Sequence, residues 1–143
     1  MKVSAKAEYA CLAMTELAVQ HQRGQPTSLK SIADKYGLSH PFLMQIFLQL
    51  KGGKFVHSIR GASGGYQLAE HPEQIRLSDI VELIDGPPRQ ASALADLPQL
   101  GLTQSLQNIW NDVTIAERDA LSEITLADVL RRIPHNAEMD FQI

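Results

Sequence analysis

One cysteine in 143 residues, Cys11, excludes an internal disulfide and any multi-cysteine zinc site built within one chain. Long apolar runs are missing too, since none approaches the roughly 18 to 20 residues that a membrane-spanning helix requires. The five histidines, His21, His40, His57, His71 and His135, form no HExxH motif and no paired i, i+4 arrangement, which argues against a zinc hydrolase. Neither GxxxxGKS/T nor GxGxxG is present, so a nucleotide phosphate cradle is disfavoured. Without a GxSxG elbow, Ser39 and Ser78 read as helix caps rather than nucleophiles. The chain therefore reads as a non-enzyme with no catalytic residue and no metal ligand set.

What is present suits a soluble globular protein: 44% apolar and 20% charged residues, in a length that fits one domain or one small domain plus an assembly segment. MKVSAKAEYACLAM carries two lysines before an apolar run, but Glu8 interrupts that run and no convincing cleavage site follows. It reads as the first helix of a cytoplasmic protein with no membrane partner. Charge is segregated. Up to Arg60 eight basic residues face three acids, a balance of +5, whereas the remainder carries five basic residues against thirteen acids, −8. A phosphate-facing module joined to an acidic assembly module would look like this; chance segregation on a solvated surface is the bland alternative.

Lys6 to Gln22 contains no Gly or Pro, Ala7, Ala10, Cys11, Met14, Leu17 and Ala18 recur at helical spacing, and Gly24 and Pro26 end the helix. Leu12, Ala13 and Val19 widen the apolar face, which suggests contact with a partner subunit. Thr27 or Ser28 can cap a short helix running to Tyr36, Gly37 can make the turn, and Ser39 can cap a further helix from His40 to about Lys51. In that helix Leu43, Ile46, Phe47 and Leu50 fall inward, leaving His40, Pro41, Met44, Gln45 and Gln49 outward. Pro41 is tolerated in the first turn. Gly52 and Gly53 stop the helix. Phe55 to Ile59 and Tyr66 to Leu68 then read as strands around the tip Arg60, Gly61, Ala62, Ser63, Gly64 and Gly65. Small residues at a tip let backbone approach a groove wall, and Arg60 supplies the cation that a narrow minor groove attracts. A purely flexible loop is the other reading.

Further on, Ser78 is expected to cap a helix with Ile80, Val81, Leu83 and Ile84 inward, ended by Gly86, Pro87 and Pro88. Arg89 to Leu100 reads as a mobile loop. From Thr103 the chain reads as helical again, and an apolar stripe of Leu102, Leu106, Ile109, Trp110, Val113, Ala116, Ala120, Leu121 and Ile124 continues for about five turns, longer than a small domain needs for its own core. Its expected partner is a second copy. Thr125 and Asp128 resemble a capping box for a last short helix, and the tail HNAEMDFQI is expected to fray. The fold expected is mainly α with a small β-hairpin wing: a winged helix-turn-helix over residues 1–86, a loop at 87–101, and a dimerisation helix with its tail at 102–143.

The opening MKVSAKAEYACLAM, the segment SLKSIADKYGLSHPFLMQIFLQLK, the wing SIRGASGGYQL, the phrase IRLSDIVELIDGP, and Trp110 followed by ITLADVL together resemble the Rrf2 family of bacterial transcriptional regulators. The resemblance runs from Met1 to about Arg132. It implies a homodimer whose long C-terminal helices cross and whose N-terminal helix meets the partner, with Cys11, Leu106, Ile109, Trp110, Val113, Ala116 and Ala120 as interface candidates. It also implies Ser39, Pro41 and Gln45 in the major groove and Arg60 to Gly65 in the minor groove of a pseudo-palindromic operator. Lys2, Lys6, Ser28, Lys30 and His40 join them as candidates for contact with double-stranded DNA. Ala62 and Ser63 replace the family's usual Pro and Gly, and Met44 stands where many members carry an acid. Many members hold an iron–sulfur cluster through three cysteines before the long helix; RQASALADLPQLGLTQSLQ has none, so no cofactor of that kind is expected. An unusual intersubunit site using Glu8, Cys11 and a histidine is one alternative. A winged-helix adaptor for another protein, with little DNA affinity, is another. The operator and any small-molecule or protein effector are not legible.

Overall fold

A computed structural model of the chain describes residues 2–88 and 92–134. The central helix is α1 (Ala5–His21), whose first turn is closed by Ser4: its Oγ accepts from Ala7 N at 3.0 Å. Ser4 in turn donates through N (3.0 Å) and through its hydroxyl to the Asp85 carboxylate. Ala7, Ala10, Ala13 and Ala18 are fully buried. Their small side chains let neighbouring helices pack against α1 on several sides at interior density.

Helix α2 (Leu29–Tyr36) starts at Ser28, whose Oγ accepts from Ser31 N at 3.1 Å, and ends at Gly37 in the left-handed conformation. Helix α3 (His40–Gly52) follows from Ser39 with Pro41 in its first turn. Leu43, Ile46, Phe47 and Leu50 are fully buried, as the 3.6-residue period requires. Gln49 departs from its expected outward place. It is only half-exposed and its Oε1 is buried without a partner among the described residues. At the stop after α3 the left-handed residue is Lys54 (φ 65°), while Gly53 provides space, because a Cβ there would lie 2.8 Å from the Leu83 side chain.

Strands β1 (Val56–Ile59) and β2 (Gly65–Leu68) form an antiparallel hairpin with Val56 opposite Leu68 and Ile59 opposite Gly65. Buried Val56 and Leu68 anchor its base to the core, and Tyr66 packs on Phe47 with ring centroids 4.7 Å apart. Helix α4 (Leu77–Asp85) has Arg76 at its N-cap position rather than Ser78, which lies buried inside the first turn. The reason is non-local. Arg76 bridges Thr125, Leu77 N donates to Ile124 O (2.9 Å), and Leu126 N donates to Ile75 O (3.0 Å), so the chain before α4 pairs with the chain before the last helix.

The described part of the expected mobile loop, residues 92–100, contains a short 3₁₀ turn, Ala93–Asp96, capped by the Ser92 hydroxyl. Gln99 Nε2 donates to Leu94 O (2.9 Å) and Leu97 O (2.6 Å), tying that segment together. Residues 89–91 and the tail 135–143, with the fraying expected there, lie outside the described residues. Helix α5 (Gly101–Ser122) has no buried residue. It joins the body through Arg118, which donates to Ser78 O (3.3 Å) and lies 4.0 Å from Glu82. Helix α6 (Leu126–Arg131) carries the expected Thr125–Asp128 capping box and returns to the core, where Leu126 is fully buried. No helix among the described residues is long and apolar enough to cross a membrane.

Candidate nucleic-acid interface

Two rigid pieces meet at the N-terminus of α2. Thr27 N donates to Tyr66 O (2.9 Å) and Tyr66 N to Thr27 O (2.8 Å), so the residue preceding the α2 cap extends the hairpin as a third edge. A cleft lined by Ser28, Ser31, Ala62, Ser63 and Gly64 lies where the wing tip adjoins that helix end. Thr27, the alternative cap, is thus used as backbone, and its buried Oγ1 has no partner among the described residues. The Ser28 and Ser39 hydroxyls each spend a lone pair on a cap, Ser39 accepting from Phe42 N at 3.4 Å. That use leaves the proton of each free for a phosphate oxygen.

The wing tip is shaped by sterics. A Cβ on Gly64 would lie 2.2 Å from Ile59 O, and one on Gly65 would lie 2.4 Å from Thr27 O. Those two glycines are therefore demanded by close backbone approach, whereas Arg60, Gly61, Ala62 and Ser63 are exposed. From His40 to Leu48 on α3 the exposed residues are His40, Pro41, Met44, Gln45 and Leu48, and Lys51 and Gly52 are exposed at its end. Gln45 thus faces solvent, as the helical period required.

Among the candidate cations, Lys2 is exposed and Lys6 half-buried. Lys30 pairs with Asp34 at 2.7 Å on the open surface of α2, and the carboxylate raises its pKa. The lysine stays charged, but its field is partly cancelled at short range. Sequence reasoning did not single out three features. Glu16 is buried and accepts from Lys35 Nζ (2.8 Å) and from the Tyr36 hydroxyl, clamping α2 to α1; the signal was an acid inside the apolar stripe of α1. Lys51 Nζ donates to Ser58 Oγ (3.3 Å), linking the end of α3 to the wing. Leu48 is an apolar residue out of phase with the inward stripe, and it is 60% exposed.

The stripe on α5 is open to solvent in the single chain: Leu106, Ile109, Trp110, Val113, Ala116 and Ala120 are all exposed. Cys11 is half-buried against its own core, and burial, followed by the charges of Asp85 and Glu8, pushes its thiol up to about 11. A thiol so held stays protonated at neutral pH and is a poor nucleophile. Among the described residues no group of three or more His, Cys, Asp or Glu side chains is arranged to hold a metal ion.

With this geometry in view, known proteins give a consistent picture. The Rrf2 family profile, described as "Iron-dependent Transcriptional regulator", matches residues 3–132. The transcriptional regulator CymR of Bacillus subtilis is 37% identical over 129 residues, covering 90% of this chain and 89% of CymR. The solved structure of CymR, the global cysteine regulator of B. subtilis, superposes with a TM-score of 0.82 at 34% identity over 94% of this chain and 99% of that one. IscR of T. potens superposes at 0.73 with 37% identity, covering 98% and 90% of the two chains. The iron in the family's description meets a poor donor set here. Soft thiolates, usually several, are the ligands an iron–sulfur cluster takes, and one cysteine per chain does not fit that need.

Proposed function

Because the chain belongs to the Rrf2 family of transcriptional regulators, we propose that it acts as a homodimer reading a pseudo-palindromic operator, with α3 in the major groove and the wing in the minor groove. The regulator itself is a DNA-binding protein of Rrf2 type and not an enzyme. The observation that carries the finer reading is the Thr27–Tyr66 ladder, which ties the Ser28 end of α2 to the wing. In this reading residues 1–86 bind DNA and residues 102–143 supply the dimer contact through Leu106, Ile109, Trp110, Val113, Ala116 and Ala120. Cys11 of α1 joins that contact in the same reading, and α6, whose Leu126 is buried in the core, closes the DNA-binding unit.

Gln45 is the base reader, since its amide can bond bidentately to adenine. His40 and Pro41 flank it. Lys2, Lys6, Lys30 and Arg60, with the Ser28 and Ser39 hydroxyls and the backbone of Gly61 to Gly65, meet phosphates and the minor groove. Salt-titrated binding to fragments selected from a random pool tests this directly. Gln45→Ala is expected to lower specific affinity by one to two orders of magnitude, roughly 1–3 kcal/mol, and to spare nonspecific affinity. Lys30→Ala is expected to weaken all sequences alike and flatten the salt slope by about one. Equal losses on specific and nonspecific DNA would refute the base-reading role of Gln45. An adaptor for another protein would show no salt-sensitive DNA retention at all.

The regulator works in this reading without a cysteine-bound iron–sulfur cluster. Anaerobically purified protein is expected to lack the visible absorption of such a cluster; bands from bound iron and sulfide would overturn that.

A further inference from the structure

The outward face of α3 has almost no charge. From His40 to Leu48 its exposed residues are His40, Pro41, Met44, Gln45 and Leu48, and the helix contains no acidic residue. Leu48 is 60% exposed and Met44 36%, although four other apolar residues of the same helix are fully buried. Pro41, Gln45 and Leu48 follow one another at i, i+4 and i+7, diametrically across from the buried stripe, and Met44 lies one turn before Leu48. The two large apolar side chains therefore adjoin the candidate base reader.

We propose that Met44 and Leu48 read thymine 5-methyl groups in the major groove, so that each half-site carries thymines at the positions these side chains cover. This rests on the DNA-binding reading above and deepens it. The occupant is argued from charge and chemistry. Residues up to Arg60 carry a balance of +5, which favours a polyanion over a neutral protein surface against this face. In the major groove the thymine methyl is the one apolar feature a base pair presents, and apolar side chains are its usual contacts. With no carboxylate on α3, the usual acceptor for a cytosine amino group is missing, while the Gln45 amide suits adenine. Methyl contact and adenine contact select the same A·T pairs, and phosphate attraction is left to the lysines and the wing.

The test uses the full chain and the duplex it selects from a random pool. Each thymine of one half-site is replaced singly by deoxyuridine, which removes only the methyl. Affinity is expected to fall about fourfold at each covered position. Leu48→Ala and Met44→Ala are each expected to lose that sensitivity at their own position while keeping the wild-type salt slope, since neither carries charge. Both sites are on the surface, so the variants fold. Specific binding that tolerates uracil at every position would overturn the inference while leaving the DNA-binding reading intact. So would variants with unchanged uracil sensitivity, an outcome showing that other residues make the methyl contacts. Failure to select any sequence, with no salt-sensitive retention, would overturn both.

Discussion

Gly65 shows how much a single missing side chain decides. Its backbone runs so close to Thr27 that a Cβ would sit 2.4 Å from the carbonyl oxygen and 2.8 Å from Ser28 N. Both neighbours are backbone, and Ser28 is engaged in the α2 cap, so neither can yield cheaply. Gly65→Ala should therefore break the Thr27–Tyr66 ladder and destabilise the fold by about 1–3 kcal/mol. Urea denaturation measures the loss, and the same variant should bind selected DNA more weakly than its residual fold accounts for, because the wing has moved. Unchanged stability would mean that the close approach is not a constraint. At this scale much was legible. Ser28, Ser39 and the Thr125–Asp128 box act through hydrogen bonds to residues three positions away, which a linear reading can see. Ser78 failed as a cap because the start of α4 is decided by Ile124, whose carbonyl takes the Leu77 N–H. Gly52 and Gly53 were expected to stop α3; the left-handed residue there is Lys54, and Gly53 is needed because Leu83 claims the space a Cβ would fill.

Among the elements, the last helix does more than its length suggests. Helix α6 spans Leu126–Arg131, yet Leu126 sits in the core with Met14, Leu17 and Ile75. The strand-like bridge between Arg76 and Thr125 aligns it with the start of α4. Leu126→Ala should cost about 2–5 kcal/mol through lost burial and the cavity left behind. Thermal unfolding checks this, and a loss below 1 kcal/mol would mean that α6 is loosely attached. The helix-turn-helix and hairpin were readable because periodicity and turn residues are local properties. The docking of α6 was not, because nothing in its few residues names the distant strand-like segment it pairs with. The apolar stripe of α5 was readable as a surface needing cover, and the structure leaves it open in the single chain. The outward apolar pair on α3 was visible in the sequence as residues out of phase, but Leu48 acquires meaning only beside a solvent-facing Gln45.

For the whole molecule, the charge division and the open α5 face fit one arrangement. In the proposed arrangement the basic half meets DNA, and the acidic half holds two copies at a fixed spacing without competing for phosphate. Two-fold symmetry then requires two recognition helices facing half-sites one helical turn, about 34–36 Å, or a multiple of it, apart. Footprinting the full chain on a duplex selected from a random pool tests this most directly. The account predicts two protected patches related by a dyad at that spacing, appearing together as protein is added, and lost together in Trp110→Lys, which places charge on the exposed stripe. A single isolated patch, or paired patches that persist in monomeric protein, would contradict it.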